Sequence, residues 1–449
     1  MSETRFMSES RMNDATINPL VQSWSESYRP DAPSAGPAWL ADLRDRAAQE
    51  FARSGLPQRK DEAWKYTPVR ALETLAPRIA PAGATAPGAG LFTEPLLEAP
   101  DLQVDIADGT LGDLPTSLPP GVSLLPLAQG LQRFEARLRD RLDGRDISGS
   151  SRAFAALNIA FLDQGLVVHV DESVQAGSLL IRWAFGAGET ALMRNFRLFI
   201  LLERGAALTV VEQFQSTGTG GNALNLVTDI ELAGGAVLQE IRLQDEAEDV
   251  VLLSSTCVEQ QEASRYACWS FDLGGGLVRH ELGVTLAGSG ARTRVDGAFV
   301  LDGKRHVDNH VSIGHRATDT HSSQFFRGVL GGRSRGVFNG RAMIEAGADG
   351  SSIRQSNANL LLSPLAEIDT KPELEIYADE VEASHGATVG QLDETAVFYL
   401  RSRGLDEDQA RHMLTSAFCR VVTERLENRE LAARLDELID RAMPAVEAG

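Results

Sequence analysis

Histidine and cysteine are the residues of this chain with the widest chemical reach, because a neutral imidazole and a thiolate both ligate transition metals. There are eight histidines and three cysteines. Cys257, Cys268 and Cys419 form no Cys-x-x-Cys pair, and an iron-sulfur cluster held by one chain takes about four thiolates. A cluster here would therefore have to be transient or shared with another chain. His306, His310, His315 and His321 follow at intervals of four, five and six residues, which do not place them on one face of one strand. Hydrogen bonding within the fold is their expected role, and stacking of successive coils is the route by which some of them could form a metal site. His385 stands apart, in Ser384-His385-Gly386.

Two catalytic patterns fail on their context. Gly332-Arg333-Ser334-Arg335-Gly336 fits Gly-x-Ser-x-Gly, but a nucleophile elbow joins a strand to a helix. Here Val337-Phe338-Asn339-Gly340 follows, which reads as another strand and corner. Gly303-Lys304 is followed by Arg305 where a phosphate-cradling loop needs a hydroxyl residue, and Gly297 lies one residue too far upstream. If ATP drives the function, a partner binds the nucleotide.

The elements that must position these residues follow from composition and periodicity. A chain of 449 residues exceeds one ordinary core. Its 43 basic against 63 acidic residues give a net charge of -20, which removes the footprint of a nucleic-acid binder and disfavours an acidic membrane surface. Sparse cysteines point to a reducing compartment. The segment from Met1 to about Pro37 lacks the apolar centre of a signal peptide, and no apolar run reaches the roughly 20 residues of a membrane span. The cytoplasm is the expected compartment.

Trp39, Leu40, Leu43, Ala47 and Phe51 predict a helix ending at Ser54-Gly55. Residues 81–121, rich in Pro, Gly and Ala, read as a loose connector, and a short helical pattern spans Leu131 to Leu142. From about residue 151 the period becomes two. Leu224, Leu226, Thr228, Ile230 and Leu232 predict a strand with one buried face, as do Leu374, Ile376 and Ala378 against Glu373, Glu375 and Tyr377. Gly-rich corners recur at Gly205, Gly235, Gly290, Gly331-Gly332 and Gly347 to Gly350, without a strict repeat. A β-solenoid and a β-sandwich both fit. Past Gly404, Asp406 with Gln409 forms a capping-box start, and Ala410, Met413, Leu414, Ala417, Phe418, Val421 and Val422 predict one apolar face. Asn428 caps a second helix striped by Leu431, Leu435, Leu438, Ile439 and Ala442. The expected divisions are a polar leader (1–36), a helical domain with linker (37–150), a β core (151–403) and a C-terminal helical domain (404–449).

Two segments resemble a known family. Lys371-Pro372-Glu373-Leu374-Glu375-Ile376-Tyr377-Ala378-Asp379-Glu380-Val381-Glu382-Ala383-Ser384-His385-Gly386-Ala387-Thr388-Val389-Gly390, with Phe398 to Gly404 after it, resembles the SufD branch of the SufB/SufD family of iron-sulfur cluster assembly scaffolds. The stretches Leu56 to Pro68, Gln355 to Ser363 and Ile368 to Pro372 are similar to that branch too. The SufB counterpart of Ser384 to Val389 usually reads Cys-Glu-His-Glu-Ala-Thr. The resemblance implies a mainly β protein, a right-handed parallel β-helix core flanked by an N-terminal helical domain and a C-terminal α-helical domain.

It also implies a non-catalytic subunit that pairs with SufB through the β-helix end and docks the ATPase SufC on its C-terminal helices. Glu373, Glu375, Tyr377 and His385, read as one interface strand, match the SufB contact. Arg401, Arg403, Met413, Leu414, Phe418 and Val422 fall in the region matching the SufC contact. His385 matches the histidine that meets a SufB cysteine where a transient cluster forms, while ATP stays on SufC. Many members carry a cysteine two residues before that histidine; here the position is Ala383. The same strand edge would let the isolated chain form a homodimer. A homomeric SufD-like adaptor without SufB, or a β-helix enzyme acting on acidic polysaccharide, are the alternatives; the acidic charge speaks against the latter.

Overall fold

The computed structural model describes residues 18–30, 36–81, 91–146, 148–186, 190–217 and 221–444. Most of the polar leader therefore lies outside the described residues, as does part of the expected connector. Two sheets build the centre. Sheet A runs β4 (Val122–Pro126), β5 (Gln164–Val170), β7 (Leu192–Leu202), β9 (Ala223–Leu232), β11 (Val251–Gln260), β13 (Leu277–Leu286), β15 (His306–His315), β17 (Arg335–Ile344) and β19 (Glu367–Ile376), with β1 (Arg78–Ile79) beside β7. Sheet B runs β3 (Thr110–Leu111), β2 (Leu102–Ala107), β6 (Gln175–Phe185), β8 (Ala207–Ser216), β10 (Val237–Asp245), β12 (Arg265–Asp272), β14 (Arg292–Leu301), β16 (His321–Leu330), β18 (Ser352–Leu361) and β20 (Glu382–Gly390).

From β5 onward the chain alternates between the sheets, and each strand pairs in parallel with the next strand but one. This is a β-solenoid of about seven turns, which decides against the sandwich. Alternate residues of both sheets, among them Leu226, Leu252, Val278, Val295 and Phe326, fill the space between them.

The corner leading from sheet A to sheet B explains why no repeat is visible in the sequence. Ser173, Gly205, Gly235, Ala263, Gly290, Asp319 and Gly350 occupy equivalent places, all with φ between 55° and 73°. Their amides form a ladder: Gly235 N–H donates to Glu262 O at 2.8 Å, Ala263 to Ser289 O at 2.9 Å and Gly290 to Thr318 O at 3.1 Å. Glycine adopts this left-handed geometry at least cost, yet three of the seven corners use another residue.

Helices cover the outer flanks. On sheet A lie α1 (Pro19–Ser27), α2 (Ala38–Ser54), α3 (Arg70–Leu75), α4 (Leu127–Arg133), α5 (Glu135–Asp143) and α6 (Ala153–Ala160). Helix α2 ends at Gly55 as predicted. The one-sided burial expected of the 223–232 strand is corrected, because α6 packs on its outer face and Asn225, Val227 and Asp229 are buried as well. The loose connector also contains ordered structure. Leu102, Val104 and Ile106 alternate inward on β2, which pairs in parallel with β6. In α1, within the polar leader, Trp24 is fully buried against Phe51 and its Nε1 donates to Pro77 O at 2.7 Å.

Sheet B carries α8 (Glu407–Thr423) and α9 (Arg429–Ala442) at its side, and α7 (Glu394–Ser402) packs on α8. Helices α8 and α9 pack on Ile241, Trp269, Phe271, Val300 and Val329, so the helix pair lies on the solenoid flank and leaves its end uncovered. Helix α7 starts four residues after β20 ends.

Candidate functional site

The two ends of the solenoid differ. At the first end β3 and β4 run antiparallel to β2 and β5. At the last end β19 and β20 pair only with β17 and β18, so each keeps one unpaired edge among the described residues. Every residue of β20 is exposed. An unpaired edge presents a row of free N–H and C=O groups.

The segment from Glu373 to His385, expected as a single strand, is two strands on different sheets joined by a corner, because the solenoid turns after Ile376. Glu373 and Glu375 lie on β19, Tyr377 begins the corner and His385 lies on β20. Glu373 accepts from Lys371 Nζ at 2.8 Å, and Lys371 also reaches Glu62 at 3.0 Å. Hydrogen bonds to Glu373 and Glu62 lift the Lys371 ammonium to a pKa of about 12. Glu375 accepts from Arg341 Nε at 2.8 Å, which holds its carboxyl below the usual range. Both glutamates are thus engaged within the chain. Ile376, Tyr377, Val389 and His385 are among the exposed groups of this end.

His385 is in register with Gln355 of β18, which is in register with Gln324 of β16, then Val295 and Cys268. Gln355, Gln324 and Cys268 are buried between the sheets, so His385 continues an inward-facing column and is exposed because no further coil covers it. A polar floor adjoins it. Asn359 Nδ2 donates to Asn357 Oδ1 at 2.6 Å, Thr370 Oγ1 donates to the same oxygen at 2.8 Å, and Gln355 Nε2 donates to Gly340 O at 3.1 Å.

The three cysteine thiols stand on other elements. Cys268 is four strand spacings down the column, about 19 Å at the usual inter-strand distance. Cys419 is buried in α8, and Cys257 accepts from Arg145 Nη2 at 3.0 Å on the far flank. Among the described residues, no three His, Cys, Asp or Glu side chains gather as a metal-holding group. Three of the four clustered histidines are hydrogen-bonded, His306 to Thr67, His315 to Thr320 and Ser322, and His321 to Ser352, and His310 Nε2 lies 2.9 Å from the Asp308 carboxylate. Burial lowers His306 and His315 to about 4, which keeps them neutral. Ser334 is a buried corner residue whose Oγ donates to Gly331 O at 2.8 Å.

The C-terminal candidates divide. Arg401, Arg403 and Met413 are exposed, Leu414 and Phe418 are half-buried, and Val422 is fully buried against sheet B. Val422 is therefore a core residue and offers no docking surface. The apolar face expected on α8 is rotated, for the buried seam contains Thr415, Ser416, Cys419 and Thr423 while Met413 and Ala417 face outward. Ser416 bonds Asp440, and Thr423 Oγ1 donates to Asp436 at 2.6 Å, so α9 satisfies these two hydroxyls, while Thr415 Oγ1 donates to Arg411 O within α8. The Asp406/Gln409 capping box and the Asn428 cap form as predicted. Sequence reasoning missed Phe398 and Tyr399 as surface candidates; they are 72% and 56% exposed on α7, whose one buried residue is Val397. Two adjacent aromatics on a helix with one inward position were the available signal.

Leu56 to Pro68 straps the N-terminal layer to sheet A. The Trp64 ring lies 4.0 Å beneath the Arg279 guanidinium, and Thr67 Oγ1 donates to Asp308.

Comparison with known proteins agrees with this architecture. Residues 185–418 match the family model described as SUF system FeS cluster assembly, SufBD core domain. The chain is 29% identical to the iron-sulfur cluster assembly protein SufD of Escherichia coli, over 94% of this chain and 97% of that protein. It is 27% identical to an iron-sulfur cluster assembly SufBD family protein of Synechocystis, over 89% and 90% of the two chains. A family member from Mycobacterium bovis is 27% identical over 88% and 91%. No described helix is long and apolar enough to cross a membrane. The solenoid, the flanking helices and a family match spanning over half the sequence together mean that this chain belongs to the SufBD family of iron-sulfur cluster assembly proteins.

Proposed function

We propose that the chain is a non-catalytic scaffold subunit whose open solenoid end pairs with a SufB-like paralogue, and whose His385 supplies one ligand to a cluster under assembly there. The observation that carries this reading is the position of His385, exposed on an unpaired edge strand and, among the described residues, in no metal-holding group of its own chain. A neutral imidazole binds iron, and donors from across the edge would complete the set. A mixed, shared site holds its cargo weakly enough to pass it on. The helices beside sheet B, with Phe398, Tyr399 and Met413 outward, are the surface proposed for a SufC-like ATPase, which would bring the ATP.

The test is His385→Ala, co-expressed with the two partners. The three proteins should still co-purify, and cluster formed on the complex during anaerobic reconstitution should drop at least tenfold, with partial recovery in His385→Cys. Undiminished cluster yield in His385→Ala would remove the ligand role. Co-purification without any SufB-like protein would instead favour a homomeric adaptor.

A further inference from the structure

Gln355 lies one strand before His385 in the inward-facing column, and its amide is half used. Its Nε2 donates to Gly340 O on the opposite sheet at 3.1 Å. A carbonyl oxygen only accepts, so this bond fixes which end of the amide is nitrogen and leaves Oε1 as the free end. Oε1 has no hydrogen-bond partner and belongs to a side chain that is 6% exposed, so bulk solvent does not supply one. Buried acceptors in native proteins are nearly always satisfied. The missing donor has to come from within the fold.

The polar side chains alongside are engaged with one another. Asn359 Nδ2 bonds Asn357 Oδ1 at 2.6 Å and Thr388 O at 3.3 Å, and Thr370 Oγ1 bonds Asn357 Oδ1 at 2.8 Å. Two donors stand in register with Gln355. Gln324 Nε2, one strand before, is also unpartnered, and the ring N–H of His385 stands one strand after. An amide oxygen has two lone pairs, enough for both. Parallel register partners lie about 4.8 Å apart with their side chains on the same face, a separation that rotation of an exposed imidazole bridges. Gly340 leaves room for the column, since a Cβ there would stand 2.7 Å from Gln324 Oε1.

We infer that Gln355 is a positioning residue for His385. Its Oε1 accepts a hydrogen bond from one ring nitrogen, which holds the neutral imidazole in a single tautomer and turns the lone pair of the other nitrogen out of the open end. Histidines that ligate metals commonly give their second ring N–H to an oxygen of this kind, which fixes both the tautomer and the direction of the ring. The use of this bond rests on the ligand role proposed for His385, but the bond itself is read without a cluster.

The experiment uses the purified full chain with nitrogen-15 in its histidine rings, at a pH of about 8.5, well above the roughly 6.5 of an ordinary imidazole. Long-range proton–nitrogen correlation spectra distinguish the two tautomers, and the His385 signals are those lost in His385→Ala. One tautomer should dominate by about tenfold or more in the parent. It should give way to a mixture in Gln355→Met, which keeps the length of the side chain without its oxygen, and in Gln355→Asn, which draws the oxygen back by a methylene. Gln355→Asn gives the readout should Gln355→Met misfold. A mixture in the parent, or one tautomer retained in the variants, would mean that Gln324 or a buried water fills the oxygen, and would overturn the inference. Co-expressed with the two partners, Gln355→Met should still co-purify and should form about tenfold less cluster. Undiminished yield with the tautomer released would overturn the positioning role, whereas undiminished yield in His385→Ala removes the ligand role and leaves the hydrogen bond standing.

Discussion

His385 and Gln355 are register partners across β20 and β18, so the exposed imidazole continues a column that is buried one strand earlier. A partner solenoid meeting this end would enclose His385 as the next coil encloses Gln355. Exposure of the imidazole is thus a property of the separate chain, and its environment changes when the edge is covered.

Edge pairing can be weakened without touching the core. Tyr377 and Val389 are 63% and 49% exposed, and a charge on an edge strand opposes pairing. Tyr377→Glu with Val389→Lys should lower association with the SufB-like partner at least tenfold, as measured by surface plasmon resonance, while Tm stays within a degree or two. Unchanged association would place the contact elsewhere.

On the helical flank, Phe398→Glu and Tyr399→Lys should abolish capture of the ATPase and leave the melting curve intact. Val422→Asp should behave oppositely, costing about 3 kcal/mol or more of stability because it buries a charge in an apolar seam. Chemical denaturation and pull-down on the same samples separate the two effects. Retained capture by both aromatic variants would make α7 irrelevant to docking.

Acid-base behaviour should show two opposed slopes. Burial raises Glu212 and Glu246 to about 8, so the folded state holds protons that the unfolded state has released between about pH 4.5 and 8. Their contribution is present below the unfolded pKa and fades as pH rises through that window. His306 and His315, lowered to about 4, act the other way and lose their contribution as pH falls from about 6.5 to 4. Glu246→Gln keeps an oxygen for the Gln244 amide. It should therefore gain at least about 1 kcal/mol over the parent at pH 8 relative to pH 5. Equal pH profiles in urea unfolding would show that Glu246 is ionised in the fold.

The corner ladder offers a stability test. Ala263 holds a left-handed φ of 55° between two glycine corners. Ala263→Gly should stabilise by about 1 kcal/mol by relieving that strain. A drop in Tm would mean that the Ala263 methyl packs favourably enough to outweigh it.

What the sequence made legible was local. Asp406 with Gln409, Asn428 and Gly55 mark helix ends because caps are contiguous in the chain. The family motif located His385, and periodicity located the 223–232 strand. What stayed hidden depended on distant layers. Burial of Asn225 and Asp229 follows from α6 lying over β9, and burial of Ser416 and Thr423 follows from α9 facing α8. The coil repeat was invisible because Ser173, Ala263 and Asp319 do a glycine's work at three corners. Strand β2 was concealed by the Pro- and Gly-rich residues on either side of it. The split of Glu373 and His385 onto different sheets follows from the same hidden repeat.

The contrast between the two solenoid ends bears on stoichiometry. A rod with matching parallel edges at both ends could add copies head to tail without limit, and filaments would result. Here β3 and β4 reverse direction at one end, so among the described residues only the other terminus ends in strands that continue the parallel ladder. Two such rods joined through their β19/β20 ends would use both of those parallel edges at once.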